Sequence, residues 1–264
     1  MIDKIALKNK YNPEGSVLRN AQMRMLEILI CVDKICRKHN IPYWLSSGTL
    51  LGAVRHGGFI PWDDDIDIEM MKEDYDKLLR ILPQELPSQY VLQDYHTDHK
   101  YVYLYAKVRD THSKIVEECD VNQSFKYQGL FIDIFPLEET NSVLSKWASV
   151  LYNRFCFGFG GKGGIRGALL RTNVFVLNKI VFPIFKFITK IFPKKQLHYI
   201  YGISFLKERR SEEDIFPLSQ VDFEGRPFGA PRDMDAYLKK LYGDYMSIPQ
   251  DKEVHILDGK VKIW

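Results

Sequence analysis

PYWLSSGTLLGAVRHGGFIPWDDDIDIEM, residues 42–70, decides how this chain is read. Four aspartates fall within five residues: Asp63, Asp64, Asp65 and Asp67. The D-I-D-I alternation has the period of a strand. Asp63, Asp65 and Asp67 are therefore expected on one face, with Ile66 and Ile68 in the core and Asp64 turned away. Carboxylates crowded onto one face either take up protons or share a cation. An all-oxygen donor set suits a hard ion such as Mg2+ or Mn2+. Upstream, Ser47, Gly48 and Thr49 follow a short apolar run and open a helix-like stretch, Leu50 to Arg55. Glycine lets a ligand approach the backbone, and the free amides at a helix start attract phosphate. Taken alone, an acidic run reads equally well as a solvated loop or helix cap, and a Ser-Gly-Thr turn merely punctuates a chain. Together they suggest metal-assisted phosphoryl chemistry, because loops rarely alternate acids with apolar residues.

The rest of the chain frames that motif. Its 264 residues can bury a sizeable core, and 45% apolar with 27% charged residues is ordinary globular composition. A net charge of +3 gives no ground for a nucleic-acid partner. Cys31, Cys36, Cys119 and Cys156 form no C-x-x-C pair and are expected as reduced thiols, without zinc or disulfides, in a cytoplasmic protein. The start, MIDKIALKNK, has no apolar signal segment.

Periodicity predicts a helix from Ser16 to His39, with an apolar stripe of Leu18, Ala21, Met25, Leu29, Val32 and Cys36. A short strand, Tyr43–Ser46, leads into the glycine turn. A second helix is expected over Lys72–Leu82, stopped by Pro83. Strands are expected over Lys100–Val108, with Tyr101, Tyr103 and Tyr105 on one face, and over Leu130–Ile134, with Asp133 between two isoleucines. The glycine-rich run 158–167 lacks Walker spacing and reads as a linker. A last helix is expected from Asp233 to Tyr242, capped by Gly243. This order suits an α+β core with a small mixed sheet.

Gly48-Thr49 followed by Asp65-Ile66-Asp67-Ile68 resembles the signature of the nucleotidyltransferase superfamily that includes DNA polymerase beta. The longer string GTLLGAVRHGGFIPWDDDIDI is similar to the LicD family of phosphocholine transferases and its fukutin-related relatives. Ala106–Asp110, Gly129–Leu137 and the tail stretch from Tyr237 through Leu241–Met246 to Pro249 resemble the same family.

The resemblance implies a nucleotidyltransferase-like α+β fold, a small mixed sheet flanked by helices with a helical insertion. It also implies transfer of phosphocholine from CDP-choline to a sugar hydroxyl of a teichoic acid or lipopolysaccharide. On that reading Asp63, Asp65, Asp67 and Asp133 are the metal ligands, and Asp133 is the candidate base. Lys107 and Arg109 join Asp65, Asp67 and Asp133 as catalytic residues. Ser47, Gly48, Thr49, Arg55, His56 and Trp62 contact the donor, with His56 read equally as a turn residue. Tyr43, Trp44, Trp62, Tyr101, Tyr103 and Tyr105 are candidates for an aromatic cage around choline. The expected organisation is a catalytic core over 1–140, a basic and apolar helical insertion over 141–220, and a C-terminal segment, 221–264, packed back on the core. Two rival readings stay open: a true nucleotidyltransferase releasing pyrophosphate, and a non-catalytic membrane-surface binding protein.

One apolar stretch is left over. NVFVLNKIVFPIFKFITKIFP, residues 173–193, carries Lys179, Lys186 and Lys190 among aromatic and aliphatic residues, and Pro183 should kink or divide a helix there. It reads either as an interfacial helix at a membrane near a lipid-linked glycan acceptor or as a hairpin buried against the core.

Overall fold

A computed structural model describes residues 4–116, 120–156, 164–191, 196–203, 210–248 and 261–264. Cys119, the glycines at 158–163, Phe192 and Pro193, and the tail from Pro249 to His255 lie outside the described residues.

The chain opens with α1 (Lys4–Tyr11) and α2 (Val17–Lys38), then β1 (Trp44–Leu45), α3 (Ser47–His56), β2 (Asp67–Met71) and α4 (Lys72–Glu85). β3 (Tyr90–Gln93), β4 (Ala106–Asp110), β5 (Ser113–Ile115), α5 (Asp120–Gln123) and the long β6 (Phe131–Thr140) follow. Next come α6 (Ser142–Phe155), α7 (Gly164–Val176), a π-helical turn (Leu177–Val181), α8 (Phe182–Ile191) and β7 (Gln196–Tyr199). The described chain closes with α9 (Glu212–Ile215), β8 (Ser219–Phe223), β9 (Arg226–Ala230), α10 (Met234–Tyr242) and β10 (Val261–Ile263).

The central sheet is mixed, in the order β1-β2-β6-β4-β3, with β7 on the far end of β6. β2 and β6 run parallel, and the other neighbours are antiparallel. One face is built from Ile68, Met70, Ile132, Ile134, Ala106 and Val108, all fully buried. Helices α2 and α4 pack on β2, β4 and β6. α2 is amphipathic as its stripe requires, and Ser16 caps it by accepting from the Arg19 amide. The β8–β9 hairpin lies against α3 and β1. Gly229 permits this: a Cβ there would sit 2.2 Å from the Tyr43 carbonyl oxygen.

Three expectations about elements are corrected. Pro83 lies inside α4, not at its end. Its missing amide gives up one intrahelical bond, to the Leu79 carbonyl, and the helix closes two residues later. Of Lys100–Val108 only Ala106–Val108 pairs as a strand, which continues to Asp110, because β6 and β3 offer edges to Ala106–Asp110. Gly164–Gly167 of the glycine-rich run open α7.

Candidate active site

The strand expected to carry Asp63, Asp65 and Asp67 begins only at Asp67. β1 is two residues long and pairs with Ile68 and Glu69. The chain then turns into α3, so residues 63–66 have no β1 edge to pair with. They form a loop instead. The Asp63 amide donates to the Ile60 carbonyl, and Gln22 Nε2 holds the Asp63 carbonyl at 2.8 Å.

The acids converge all the same. Asp67 opens β2, and the parallel register sets it beside Asp133 on β6. On the other flank of β6, Lys107 of β4 faces Asp133 and donates to its Oδ1 at 2.5 Å. Register partners point to the same side, so Asp67, Asp133 and Lys107 form one row across three strands. Burial pushes Asp67 well above the usual carboxylate range. Asp65, Asp133 and Asp63 push it further, and Lys107 pulls it back. Asp63 is raised the same way, by burial and then by Asp65 and Asp64, and it shares a hydrogen bond with Asp65. Burial also raises Asp133, against the pull of Lys107. Burial lowers Lys107, and the pair with Asp133 opposes that.

The donor set is chemically right for a hard divalent ion, and its raised carboxyls show negative charge that Lys107 alone does not balance. Among the described residues, however, no three acids, imidazoles or thiols form a preformed cage. Mg2+ characteristically uses one or two carboxylates and completes its shell with water and substrate phosphate. The residues therefore fit an ion that enters with a phosphate.

The start of α3 lies against these acids. An added Cβ on Gly48 would meet Asp63 Oδ2 at 2.7 Å. Ser47 adopts φ +47°, the left-handed region that costs a non-glycine residue energy and clusters at functional sites. Ser46 precedes α3 without a side-chain cap, which leaves the first amides of the helix open to an anion. Thr49 is buried, and its Oγ1 accepts from the Asp67 amide at 2.8 Å, tying the helix start to the first residue of β2.

The remaining expected contacts are placed differently. Arg55 is buried and donates to the carbonyls of Tyr245 and Ser247 and to His56 Nε2, so it clamps the tail to α3. His56, lowered to about 4 by burial and by Arg55, is neutral at physiological pH. Trp62 packs edge-on against Tyr11 and His56. Arg109 shares the face of Lys107, but donates to Gln93 Oε1 and to the Gly129 carbonyl, under Phe131.

The aromatics separate too. Tyr43 donates to Asp33, Trp44 to Glu69, and Tyr101 is buried. Tyr103 and Tyr105 instead begin a ladder through Phe135 to Tyr199, with centroids 5.1, 4.4 and 5.0 Å apart. They line a cavity of about 240 Å³ together with Tyr75, Tyr95, Phe175 and Lys179. Asp76 and Asp94 line it as well, but Asp63, Asp65, Asp67 and Asp133 do not. Lys107 links the two regions: its ammonium is 5.4 Å from the Tyr105 ring.

Two residues of the site region escape a reading of the sequence alone. Glu69 continues the 65–67 alternation by one step and is fully buried. Its carboxylate accepts from Trp44 Nε1, Tyr199 Oη, Tyr237 Oη and Arg210, joining β1, β7 and α10 behind Asp67. Tyr242, at the end of α10, has its phenol raised by burial and then by Asp67, Asp63 and Asp65. It is near enough to feel the charge of the acids while its side chain stays exposed.

A mixed α/β protein with a carboxylate row beside an open helix start is the class that fold and site define. Residues 40–160 match the family model described as LicD/FKTN/FKRP, nucleotidyltransferase domain, so the chain carries a domain of that family. It is 28% identical over 253 residues to the lipopolysaccharide cholinephosphotransferase LicD of Haemophilus influenzae, covering 89% of this chain and 94% of that protein. It is 56% identical to the human ribitol 5-phosphate transferase FKRP over 34 residues, 13% of this chain and 7% of that protein. A third match, to the uncharacterized protein RP689 of Rickettsia prowazekii, is 50% identical over 62 residues, 24% of this chain and 23% of that protein.

Proposed function

We propose that the protein transfers phosphocholine, or a similar phosphate-bearing alcohol, from a CDP-linked donor to a sugar hydroxyl of a cell-surface glycan, a teichoic acid or lipopolysaccharide, and releases CMP. The row Asp67–Asp133–Lys107 beside the start of α3 carries this reading. The names of the relatives, a cholinephosphotransferase and a ribitol 5-phosphate transferase, support the type of group moved.

The α3 amides and the bare Cα of Gly48 receive the diphosphate. Lys107 places a fixed positive charge beside it, worth more in a water-poor site than in bulk solvent. The sugar oxygen bonds to phosphorus as the bond to the CMP oxygen breaks. Asp133, with its raised pKa, accepts the hydroxyl proton. Asp65, Asp67 and Asp133, with Asp63, would hold Mg2+ or Mn2+, which when bound neutralises phosphate oxygens and eases departure of CMP.

The test is a panel of CDP-linked choline, ribitol and glycerol, with and without Mg2+, read by the small molecule released. CMP from one donor supports the proposal. Pyrophosphate from a nucleoside triphosphate makes the protein a nucleotidyltransferase. No turnover with any donor leaves a binding protein.

A further inference from the structure

Helices α6, α7 and α8 invert the usual rule for a surface helix. Their inner faces, with Ala148, Tyr152, Leu170, Val174, Leu177 and Phe182, build a second small core beside the main one. Their outer faces are apolar as well. Trp147 is 59% exposed on α6, and Ile180, Ile184, Phe187 and Ile191 are 50%, 52%, 65% and 63% exposed. The last four recur at steps of four, three and four, a solvent-facing stripe that runs from the π-helical turn into α8. A helix apolar on both sides is not finished by the fold that displays it.

Charge says what covers it. From Thr140 to Lys207 the sequence holds eleven lysines and arginines and no aspartate or glutamate; the rest of the chain holds 26 bases against 34 acids. Lys146, Arg154, Arg171, Lys179 and Lys190 are exposed on these same helices. A second copy docked on this face would bring two positive surfaces together. An anionic bilayer would take both the charge and the apolar stripe. No described helix is long and apolar enough to cross a membrane, so the contact is interfacial.

We propose that the α6–α8 face seats the protein on an anionic phospholipid surface, with Trp147, Ile180, Ile184, Phe187 and Ile191 entering the headgroup boundary and the flanking bases meeting lipid phosphate. Lys186 contributes less, since it already pairs with Glu138. The acidic remainder of the chain is repelled by the same surface, which fixes the orientation. The proposal does not depend on which group the enzyme transfers.

Flotation of the full chain with vesicles of phosphatidylcholine, alone or mixed with phosphatidylglycerol, tests it. Binding is expected to the mixed vesicles at low salt, falling with added salt. Ile184→Glu with Phe187→Glu, and separately Lys179→Glu with Lys190→Glu, should each weaken it by at least about tenfold. All these side chains are exposed, and circular dichroism checks that the variants fold. Trp147 emission should shift to the blue on the mixed vesicles, a change missing from Trp147→Phe. No flotation at low salt overturns the proposal. So does flotation indifferent to both double substitutions, or a wild-type dimer that Ile184→Glu with Phe187→Glu converts to a monomer.

Discussion

Asp67 and Asp133 stand on the same rung of two parallel strands, and Asp133 is one of the charges that lift the Asp67 pKa, while Lys107 pulls both carboxyls down. The site thus gathers more negative charge than its own cation neutralises. That imbalance can be measured without knowing the substrate.

A carboxyl whose folded pKa lies above its unfolded value binds its proton more tightly in the folded state. Its stabilising contribution is complete below the unfolded pKa and is lost as pH rises through the folded one. The metal-free protein should therefore lose stability upward from about pH 4. Asp67→Asn should flatten that slope, and an unchanged slope would refute the repulsion. Mg2+ supplied together with a CDP-linked donor should raise the wild-type Tm at neutral pH above that with donor alone, and should add nothing in Asp67→Ala. Transfer by Asp65→Ala or Asp67→Ala should fall by at least about 10²-fold with the fold intact. A wild-type Tm that is indifferent to Mg2+ and Mn2+ in the presence of the donor would remove the metal assignment.

Lys107 and Asp133 form a buried pair, and removing one partner of such a pair strands the other. Lys107→Met is expected to cost about 3 kcal/mol in urea unfolding. Adding Asp133→Asn should recover most of it, because no uncompensated charge remains. Additive losses in the double variant would mean that the two side chains do not act as a pair. Neither variant should support transfer.

Glu69 should behave oppositely to Asp67. Its carboxylate is satisfied by four side chains rather than repelled by acids. Glu69→Gln should destabilise by about 3 kcal/mol, since it strands Arg210 and leaves an amide among donors. Unfolding in urea measures it. A change under about 0.5 kcal/mol, the size of an ordinary surface substitution, would show that the network does not hold the sheet to α10.

Much of this was legible from residues 42–70. The helix–strand order and the α3 start follow from apolar spacing and a single alternation, while the grouping of Asp133 with Asp67 was implied by the family resemblance. What the sequence hides is the length of neighbouring edges. β1 ends after two residues, so Asp63 and Asp65 reach the cluster through a loop and not along a strand. Partner choice is hidden as well. Arg55 and Arg109 read as phosphate contacts, yet both spend their donors on carbonyls and amides from distant segments. Tyr242 enters the site because α10 packs on α3, a contact between residues nearly two hundred positions apart.

Tyr242 offers a probe of donor contact. Its phenol feels the charge of the acids and its side chain is exposed, so Tyr242→Ala should change Tm little while raising KM for the donor by roughly tenfold, the cost of one lost hydrogen bond to a charged group. Unchanged kinetics would place substrate on the other side of the acid row.

Gly48 and Gly52 lie four residues apart on α3, and alanine at each should fail for different reasons. At Gly48 the new Cβ meets only the far end of the Asp63 side chain, at 2.7 Å. A carboxylate can swing aside, and alanine is the better helix former, so stability should hold to within about 1 kcal/mol. The methyl group would then fill the approach to the α3 amides and displace Asp63, and transfer should drop by at least about tenfold. At Gly52 the Cβ meets backbone, the Gly58 carbonyl at 2.5 Å and the Ile60 amide nitrogen at 3.0 Å. Backbone cannot swing aside, so Gly52→Ala should cost about 2–3 kcal/mol through overpacking. Paired measurement of Tm and turnover separates them. Gly48→Ala with wild-type turnover would show that the space above Asp63 receives no phosphate.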